Sequence, residues 1–417
     1  MSASRLAFAI AACVALAGVP GAGRASTEEF ASFSATAQEE DDESLLDHAL
    51  TAPPSFWRDE WERGPRAFRT SQGCLTSGQW ILVTQLKLEA PLGDRARFGL
   101  EYLDDASDRG QWEHFDLWFR FPTRVGRLSA MFRPFFDKSR QDFAVQWETG
   151  ADTAGLHLQL TFGVEDMFNN LWAFRQTRVG NLSEPYETHP YEPAARVEWR
   201  GEHSRFELGG RWLTVGEKQL IADPAVPTFR LGTLWGADAW GYAETRALAT
   251  DAWVTARSKQ VFSRFDHSKR PDSTGNDWRR QWSLELGARR ALGARWTLEA
   301  RGIYQSREQE TSTPLVPGRF EGLDRLLQLE LGWRPVANFG TRFGGLHDRI
   351  GVTQSYPDPL NQYGSYGTRT ENRLYVGVWI RLGRVLLSGV EGIELDDEPY
   401  DVSLIHDKGF VSLQTTF

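Results

Sequence analysis

Apolar and polar residues alternate along most of the chain from about residue 66 onward. The segment HFDLWFRFP places Phe115, Leu117 and Phe119 on one face of an extended strand, with Asp116 and Arg120 on the other. The same period returns in QWSLELGAR, RWTLEARGIY, LLQLELGWR and RLYVGVWIRLG. Because side chains of a strand repeat every two residues, the pattern predicts many strands, each with one apolar face and one charged face.

The alternating segments and the turn residues between them predict eighteen antiparallel strands in up-and-down order, with sixteen as the alternative. The stretch 228–264 could hold three strands instead of two. The even number places the short turns and both termini on one side of a membrane. The predicted strands are 66–74, 79–90, 95–103, 112–122, 127–136, 140–149, 154–163, 193–201, 204–214, 228–247, 251–264, 278–290, 295–305, 321–334, 339–350, 371–382, 384–395 and 408–417.

Alternation alone does not separate a soluble sandwich from a transmembrane β-barrel. Two features favour the all-β transmembrane barrel, which at this strand number encloses an aqueous lumen. Aromatic residues cluster at strand ends, where membrane-interface girdles are expected: Trp112, Phe121, Trp212, Trp278, Trp282, Trp296, Tyr304 and Trp333. Connections also alternate between short ones (91–95, 123–127, 202–204, 292–295, 335–339, 382–384) and long ones (104–111, 215–228, 264–278, 306–321, 351–371, 396–407).

The final segment, KGFVSLQTTF, places Val411, Leu413, Thr415 and Phe417 on one face. Such a strand, ending in phenylalanine, resembles the assembly signal of Gram-negative outer-membrane β-barrel proteins. The resemblance covers the architecture from about residue 66 to the end. It implies insertion by the barrel assembly machinery, contact with outer-membrane lipid and lipopolysaccharide, and location in the cell outer membrane. It leaves the oligomeric state open.

The first 65 residues are expected to lie apart from the barrel of residues 66–417. Residues 1–25 carry Arg5, an apolar run and small residues near Ala25, as a cleaved signal peptide does. A lipoprotein cleavage box ending at Cys13 is the alternative. Residues 26–65 are acidic and poor in apolar residues, which predicts a largely disordered segment. Cys74 is the one cysteine beyond the signal peptide, so no intrachain disulfide is expected.

The charged face suggests a channel for diffusion or facilitated passage of small hydrophilic solutes. The net charge is −9, and 41 of the 47 basic residues are arginine; no nucleic-acid partner is expected. The arginines could guide anions, or they could pair with acids across neighbouring strands. Arg373 and Arg381, with Tyr375 and Trp379, could form an anion-attracting or sugar-stacking ladder. The predicted pore-lining residues are Arg120, Arg196, Arg200, Arg205, Arg211, Arg289, Arg301, Arg334, Arg373 and Arg381.

The longest connection, 164–193, interrupts the alternation. Met167, Leu171 and Phe174 have the spacing i, i+4, i+7, which predicts a helix. The segment could fold inward as a constriction or pack on the outer rim. An inward fold would place four charged residues near the narrowest point: Glu165, Asp166, Arg175 and Arg178.

Two other classes of function stay open. The stretch 208–221 loosely resembles alginate-export-type barrels at Gly210, Arg211 and Gly216, which implies an export barrel; a sheath around another protein is a related possibility. A lipid-modifying barrel enzyme would need a serine beside a histidine. His203-Ser204 and His267-Ser268 are consecutive and therefore point to opposite faces. We expect no catalytic residue, metal or cofactor.

Overall fold

The computed structural model describes the chain from Arg66 to Thr416 with gaps. Residues 1–65 and Phe417 lie outside the described part, and so do the predicted signal peptide, the lipoprotein box and the acidic segment. The described residues are 66–74, 80–93, 95–107, 110–133, 141–149, 154–165, 167, 174–177, 180–183, 186–221, 229–267, 275–312, 318–355, 368–395 and 409–416.

Eighteen long strands form a closed antiparallel β-barrel, each paired with the next along the chain. Pairing of the first strand with the last closes the barrel. The strands are β1 (Arg66–Cys74), β2 (Trp80–Leu92), β3 (Ala96–Ser107), β4 (Gly110–Thr123), β5 (Gly126–Phe132), β6 (Gln141–Glu148), β7 (Gly155–Glu165), β11 (Tyr191–Arg200), β12 (Ser204–Ile221), β13 (Phe229–Ala247), β14 (Thr250–His267), β15 (Gly275–Ala291), β16 (Trp296–Ser312), β17 (Gly318–Val336), β18 (Phe339–Ser355), β19 (Thr368–Leu382), β20 (Val385–Glu394) and β21 (Gly409–Thr416); three short strands, β8 (Phe174–Thr177), β9 (Gly180–Ser183) and β10 (Tyr186–Thr188), lie between β7 and β11.

The predicted barrel, its up-and-down order and its eighteen strands are confirmed, and the count of sixteen is wrong. The stretch 228–264 holds two strands, because β13 and β14 pair without interruption from Ala247–Thr250 to Arg230–His267. The main difference from the predicted bounds is length. Strand β12 continues to Ile221 and β16 to Ser312, well into segments that were expected to be loops.

Strand β19 shows how the sequence period separates the two faces of the wall. Leu374 is 49% and Val376 41% exposed, whereas Arg373 is 1% and Tyr375 2% exposed. The apolar side chains therefore point away from the barrel and the polar ones toward its interior. An outer face of exposed aliphatic residues is the surface that a bilayer covers. No helix in the described part of the chain has the length and hydropathy needed to cross a bilayer.

Aromatic pairs mark two levels on the outer face. Near the short turns, the rings of Trp296 and Trp333 stack with centroids 5.8 Å apart. Farther toward the long connections, Trp282 and Tyr304 lie 4.8 Å apart. Amphipathic rings prefer the boundary between hydrocarbon and headgroups, so these pairs indicate where the membrane begins and ends.

The helix predicted around Met167, Leu171 and Phe174 is wrong where the structure describes the segment. Phe174 begins strand β8, which forms a hairpin with β9. Strands β9 and β10 in turn pair with the far end of β12, beyond the point where β11 stops. Where β12 extends beyond β11, the backbone N–H and C=O groups on that edge need partners, and strands β9 and β10 supply them. The free energy of this backbone pairing outweighs the helical preference of three apolar positions.

Candidate functional site: the charged inner wall

The inner wall carries the arginines that the sequence singled out. By the register of the strands, all ten of the predicted pore-lining arginines lie on the face opposite the exposed aliphatic residues. Most of these guanidinium groups lie within 4 Å of a carboxylate, and they are held along the wall. Whether they line a path for solutes stays a prediction.

A closed ring of charges joins β11 to β12. Arg196 contacts Glu207 at 2.9 Å and Glu198 at 3.4 Å, and Arg205 contacts the same two carboxylates at 3.1 and 2.6 Å. Arg200 adds a fifth charge, 2.6 Å from Glu198. Glu198 and Glu207 are direct cross-strand partners, so the attractive contacts run along each strand and diagonally between the strands. Arg196 and Arg205 balance the two glutamates in formal charge, and Arg200 adds one positive charge.

Two further acids bind three arginines of neighbouring strands. Asp238 on β13 accepts hydrogen bonds at 3.1 Å from both Arg211 on β12 and Arg257 on β14. Glu285 on β15 accepts two bonds of 2.9 Å from Arg301 on β16, in the bidentate geometry that suits a guanidinium fork. These contacts link three pairs of neighbouring strands: β12 with β13, β13 with β14, and β15 with β16. The sequence identified Arg211 and Arg301. It missed Arg257 and Asp238, because their contacts lie on other strands.

The remaining predicted arginines lie in mixed surroundings. Arg120 lies 3.4 Å from Glu89, and its guanidinium carbon is 3.8 Å from the ring centroid of Trp118. Arg289 contacts Asp251 at 3.1 Å. Arg334 lies 5.5 Å from the ring of Trp379. Arg381 donates a hydrogen bond to the carbonyl of Gly383 at 3.2 Å.

The side chains of the expected ladder on β19 contact acidic and amide groups, which leaves them less open than an anion-binding or sugar-stacking ladder requires. Arg373 lies 3.2 Å from Glu371, on the same inner face of the strand. The Tyr375 hydroxyl donates to Glu330 at 2.7 Å and accepts from Gln328 at 2.8 Å. Because Arg373 and Tyr375 are buried, neither offers an open face for an anion or a sugar ring.

Among the residues that the structure describes, five inward-facing aromatic side chains lie flat on glycines of the neighbouring strand. A Cβ atom placed on Gly99 would lie 1.9 Å from the ring of Trp118, its direct cross-strand partner. Because glycine has no Cβ atom, each of these positions leaves room for the ring across from it. Sequence alone could not find these pairs, because they require the register. They are Trp118 on Gly99, Trp240 on Gly209, Trp253 on Gly287, Tyr375 on Gly344 and Trp379 on Gly340.

A buried ion pair near β5 was also missed by sequence reasoning. Both Asp116 and Arg133 are buried, and the guanidinium makes two hydrogen bonds to the carboxylate, at 2.5 and 2.7 Å. Met131 and Trp118 pack in the same part of the wall. Arg133 follows the last residue of β5, where the alternating pattern had given no reason to single it out.

The residues expected at a constriction are only partly described. Glu165 ends β7 and is buried, and its carbonyl oxygen makes a 3.0 Å hydrogen bond with His189 Nδ1. Arg175 belongs to β8, but the position of its side chain is not described; Asp166 and Arg178 lie outside the described residues. The constriction therefore stays a prediction.

The histidine-serine pairs do not converge on a site in the described part of the chain. His203 is exposed in the short turn before β12, and its ring lies 3.8 Å from the Glu202 carboxylate of the same turn. Ser268 lies outside the described residues. Among the residues with described positions, no group of three or more His, Cys, Asp or Glu side chains could hold a metal ion.

Comparison with known proteins finds similar architecture only among solved structures. No protein-family model and no curated protein matches the chain. A bacterial polysaccharide outer membrane secretin is 14% identical, with a TM-score of 0.41 over 84% of this chain and 97% of the other. CdiB from Escherichia coli is 13% identical, with a TM-score of 0.41 over 88% of this chain and 64% of the other.

An anion-selective porin from Comamonas acidovorans is 10% identical, with a TM-score of 0.30 over 84% of this chain and 95% of the other. These likenesses are too distant to transfer a substrate. The closed barrel, its exposed aliphatic belt and its two aromatic levels are features of the chain itself. The chain is a closed antiparallel β-barrel of the transmembrane type.

Proposed function

We propose that the protein is an outer-membrane channel through which small hydrophilic solutes diffuse. The observation that supports this is the charged and hydrogen-bonded inner wall of a closed barrel of eighteen strands. Barrels of 16 to 18 strands enclose an aqueous lumen when they span the outer membrane. A polar wall keeps such a lumen wetted.

The proposed channel discriminates weakly between cations and anions. Opposite charges along the wall lie within 4 Å of each other, whereas the screening length in physiological salt is about 8 Å. An ion near the centre of the lumen therefore experiences mainly the cancelled field of each pair. Solute size, rather than charge, sets what passes.

Planar bilayers and liposomes containing the purified protein test this function. We expect ion conductance with a reversal potential close to zero in a salt gradient, and liposome swelling in sugars up to a size limit. Glu207→Gln removes one of the two carboxylates that Arg196 and Arg205 share, which leaves excess positive charge on the wall, and should shift the reversal potential toward anion preference, most at low salt. The outward-facing Glu310 provides the control Glu310→Gln, which should leave the potential unchanged.

Bilayers without conductance and liposomes closed to every sugar would contradict the channel. They would favour a barrel dedicated to export or to a partner protein. All variants must first migrate as folded, heat-modifiable barrels on gels, so that loss of current is not loss of assembly.

A further inference from the structure

Two arginines face each other on the outer, lipid-facing surface of the barrel. Arg325 on β17 and Arg349 on β18 are direct cross-strand partners, and both are exposed. Side chains at such positions start about 5 Å apart, and like charges placed there destabilise a sheet. The arrangement is therefore unfavourable unless an anion lies between them.

No carboxylate of the described chain supplies that anion. Neither Arg325 nor Arg349 forms an ion pair with any residue that the structure describes. The nearest acid along the outer face of β17 is Glu321, four residues away, and it already contacts Arg319 at 2.6 Å. Thr370 is the next partner across from Arg349.

The arginine pair lies at the outer boundary of the membrane. Arg325 pairs with Tyr304 across β16 and β17, and its guanidinium lies 5.6 Å from the centroid of that ring. Tyr304 lies eight residues along β16 from Trp296 of the other aromatic level. At about 3.3 Å per residue the span is about 26 Å along the strand, or about 20 Å along the membrane normal after the usual tilt of about 40°, which fits within the roughly 25 Å height of the apolar band.

The surface beside the arginines suits a lipid. Toward the membrane centre on β17, Leu327 is 59% and Leu329 56% exposed, so acyl chains can lie directly below the guanidinium groups. On the next rung toward the membrane centre, His347 lies across from Leu327 and makes a 2.6 Å hydrogen bond with Asn372, which adds polar groups at the edge of the apolar band.

We propose that Arg325 and Arg349 bind a phosphate group of the glucosamine-based lipid of lipopolysaccharide in the outer leaflet. Two guanidinium forks supply parallel N–H donors to phosphate oxygens, and the phosphate removes the repulsion between the two arginines. The position at the headgroup level of a lipid-covered surface favours a lipid phosphate over a free one. The site is independent of the proposed channel function, because it lies on the opposite face of the wall.

Native mass spectrometry of the detergent-solubilised barrel tests the site. The protein is titrated with bisphosphorylated lipid A and with its dephosphorylated form. We expect about tenfold preference for the phosphorylated lipid, the order of magnitude of a charge-assisted hydrogen bond. The double variant Arg325→Gln/Arg349→Gln should lose the preference. Arg290 on β15 also points outward and is exposed, but it lies beside the short turn that leads to β16, at the other end of the barrel from Arg325 and Arg349. The control variant Arg290→Gln should therefore keep the preference for the phosphorylated lipid.

A thermal measurement distinguishes bound lipid from general charge attraction. Without lipid, Arg349→Gln should raise the unfolding temperature, because it removes the like-charge pair. Addition of bisphosphorylated lipid A should raise the unfolding temperature of the wild type more than that of the variant. Equal lipid preference in the double variant, or equal stabilisation of the wild type by inorganic phosphate at the same concentration, would overturn the proposal.

Discussion

Single residues of the inner wall are constrained by what lies across from them. The glycine partners of the flat aromatic rings are the clearest case, because their missing Cβ atoms create the space that the rings occupy. Alternation in the sequence assigned Tyr375 and Trp379 to the same face as Arg373 and Arg381, where the structure places them. It could not show that these rings lie along the wall, since that depends on contacts between distant parts of the chain.

Adjacent glycines of β18 provide a residue-level test. A Cβ on Gly344 would lie 2.1 Å from Tyr375 Cζ, whereas a Cβ on Gly345 finds its nearest atom at 3.7 Å. Gly344→Ala should displace the tyrosine from its hydrogen bond to Glu330 and lower the free energy of unfolding by about 1–3 kcal/mol. Gly345→Ala should be neutral or slightly stabilising. Urea unfolding in detergent measures both; equal effects would contradict the flat packing.

Strands and turns were predictable because their signals are local. The first strand was expected at 66–74, where β1 lies, and the short connections fall where Gly, Pro and polar residues cluster. The extensions of β12 and β16 were missed because the outer loops lose apolar alternation beyond the membrane while their backbones stay paired. Pairing with a neighbouring strand, rather than burial, forms these parts of the sheet.

The turn between β13 and β14 tests strain at the level of an element. Leu248 and Ala249 have φ values of 50° and 60°, which favour Asn-Gly in a two-residue hairpin. Replacing them with Leu248→Asn and Ala249→Gly should stabilise the barrel by about 1 kcal/mol, because non-glycine residues in this region are strained. Val125→Asn, in a turn without such φ values, is the control. Equal urea midpoints for both variants would show that the hairpin carries no strain.

At the scale of the whole molecule, the sequence predicted a barrel because membrane and solvent act on every strand in the same way. It could not identify the ion-pair partners, since these are set by the relative shift of neighbouring strands. The contribution of Phe417 to assembly stays a prediction: its deletion should reduce the heat-modifiable form in the outer membrane.

Closure of the barrel can be tested with an engineered disulfide. The hydroxyl groups of Ser71 on β1 and Ser412 on β21 lie 3.0 Å apart. In a background with Cys74→Ala, the pair Ser71→Cys/Ser412→Cys should oxidise readily, because cross-strand partners meet the required Cα separation of about 5.5 Å. Non-reducing gels of the heat-denatured protein should show a faster, cyclised species.

The matched control is Ser71→Cys/Ser388→Cys. Ser388 lies on β20, one strand farther away, at roughly twice the spacing of neighbouring strands. It should remain reduced. A cyclised species in both variants, or in neither, would mean that the first and last strands do not pair as the structure shows.

The aromatic rings resting on glycines also have a consequence for how this sequence can diverge. Neither member of such a pair can be exchanged freely: a larger residue at Gly209 collides with Trp240, and loss of the ring leaves the glycine uncovered. Substitutions at these positions should therefore accumulate jointly among descendants of the chain. The members of the five coupled pairs are separated in sequence by 19 to 39 positions. Their joint conservation would preserve the register of the paired strands even after most other residues had changed.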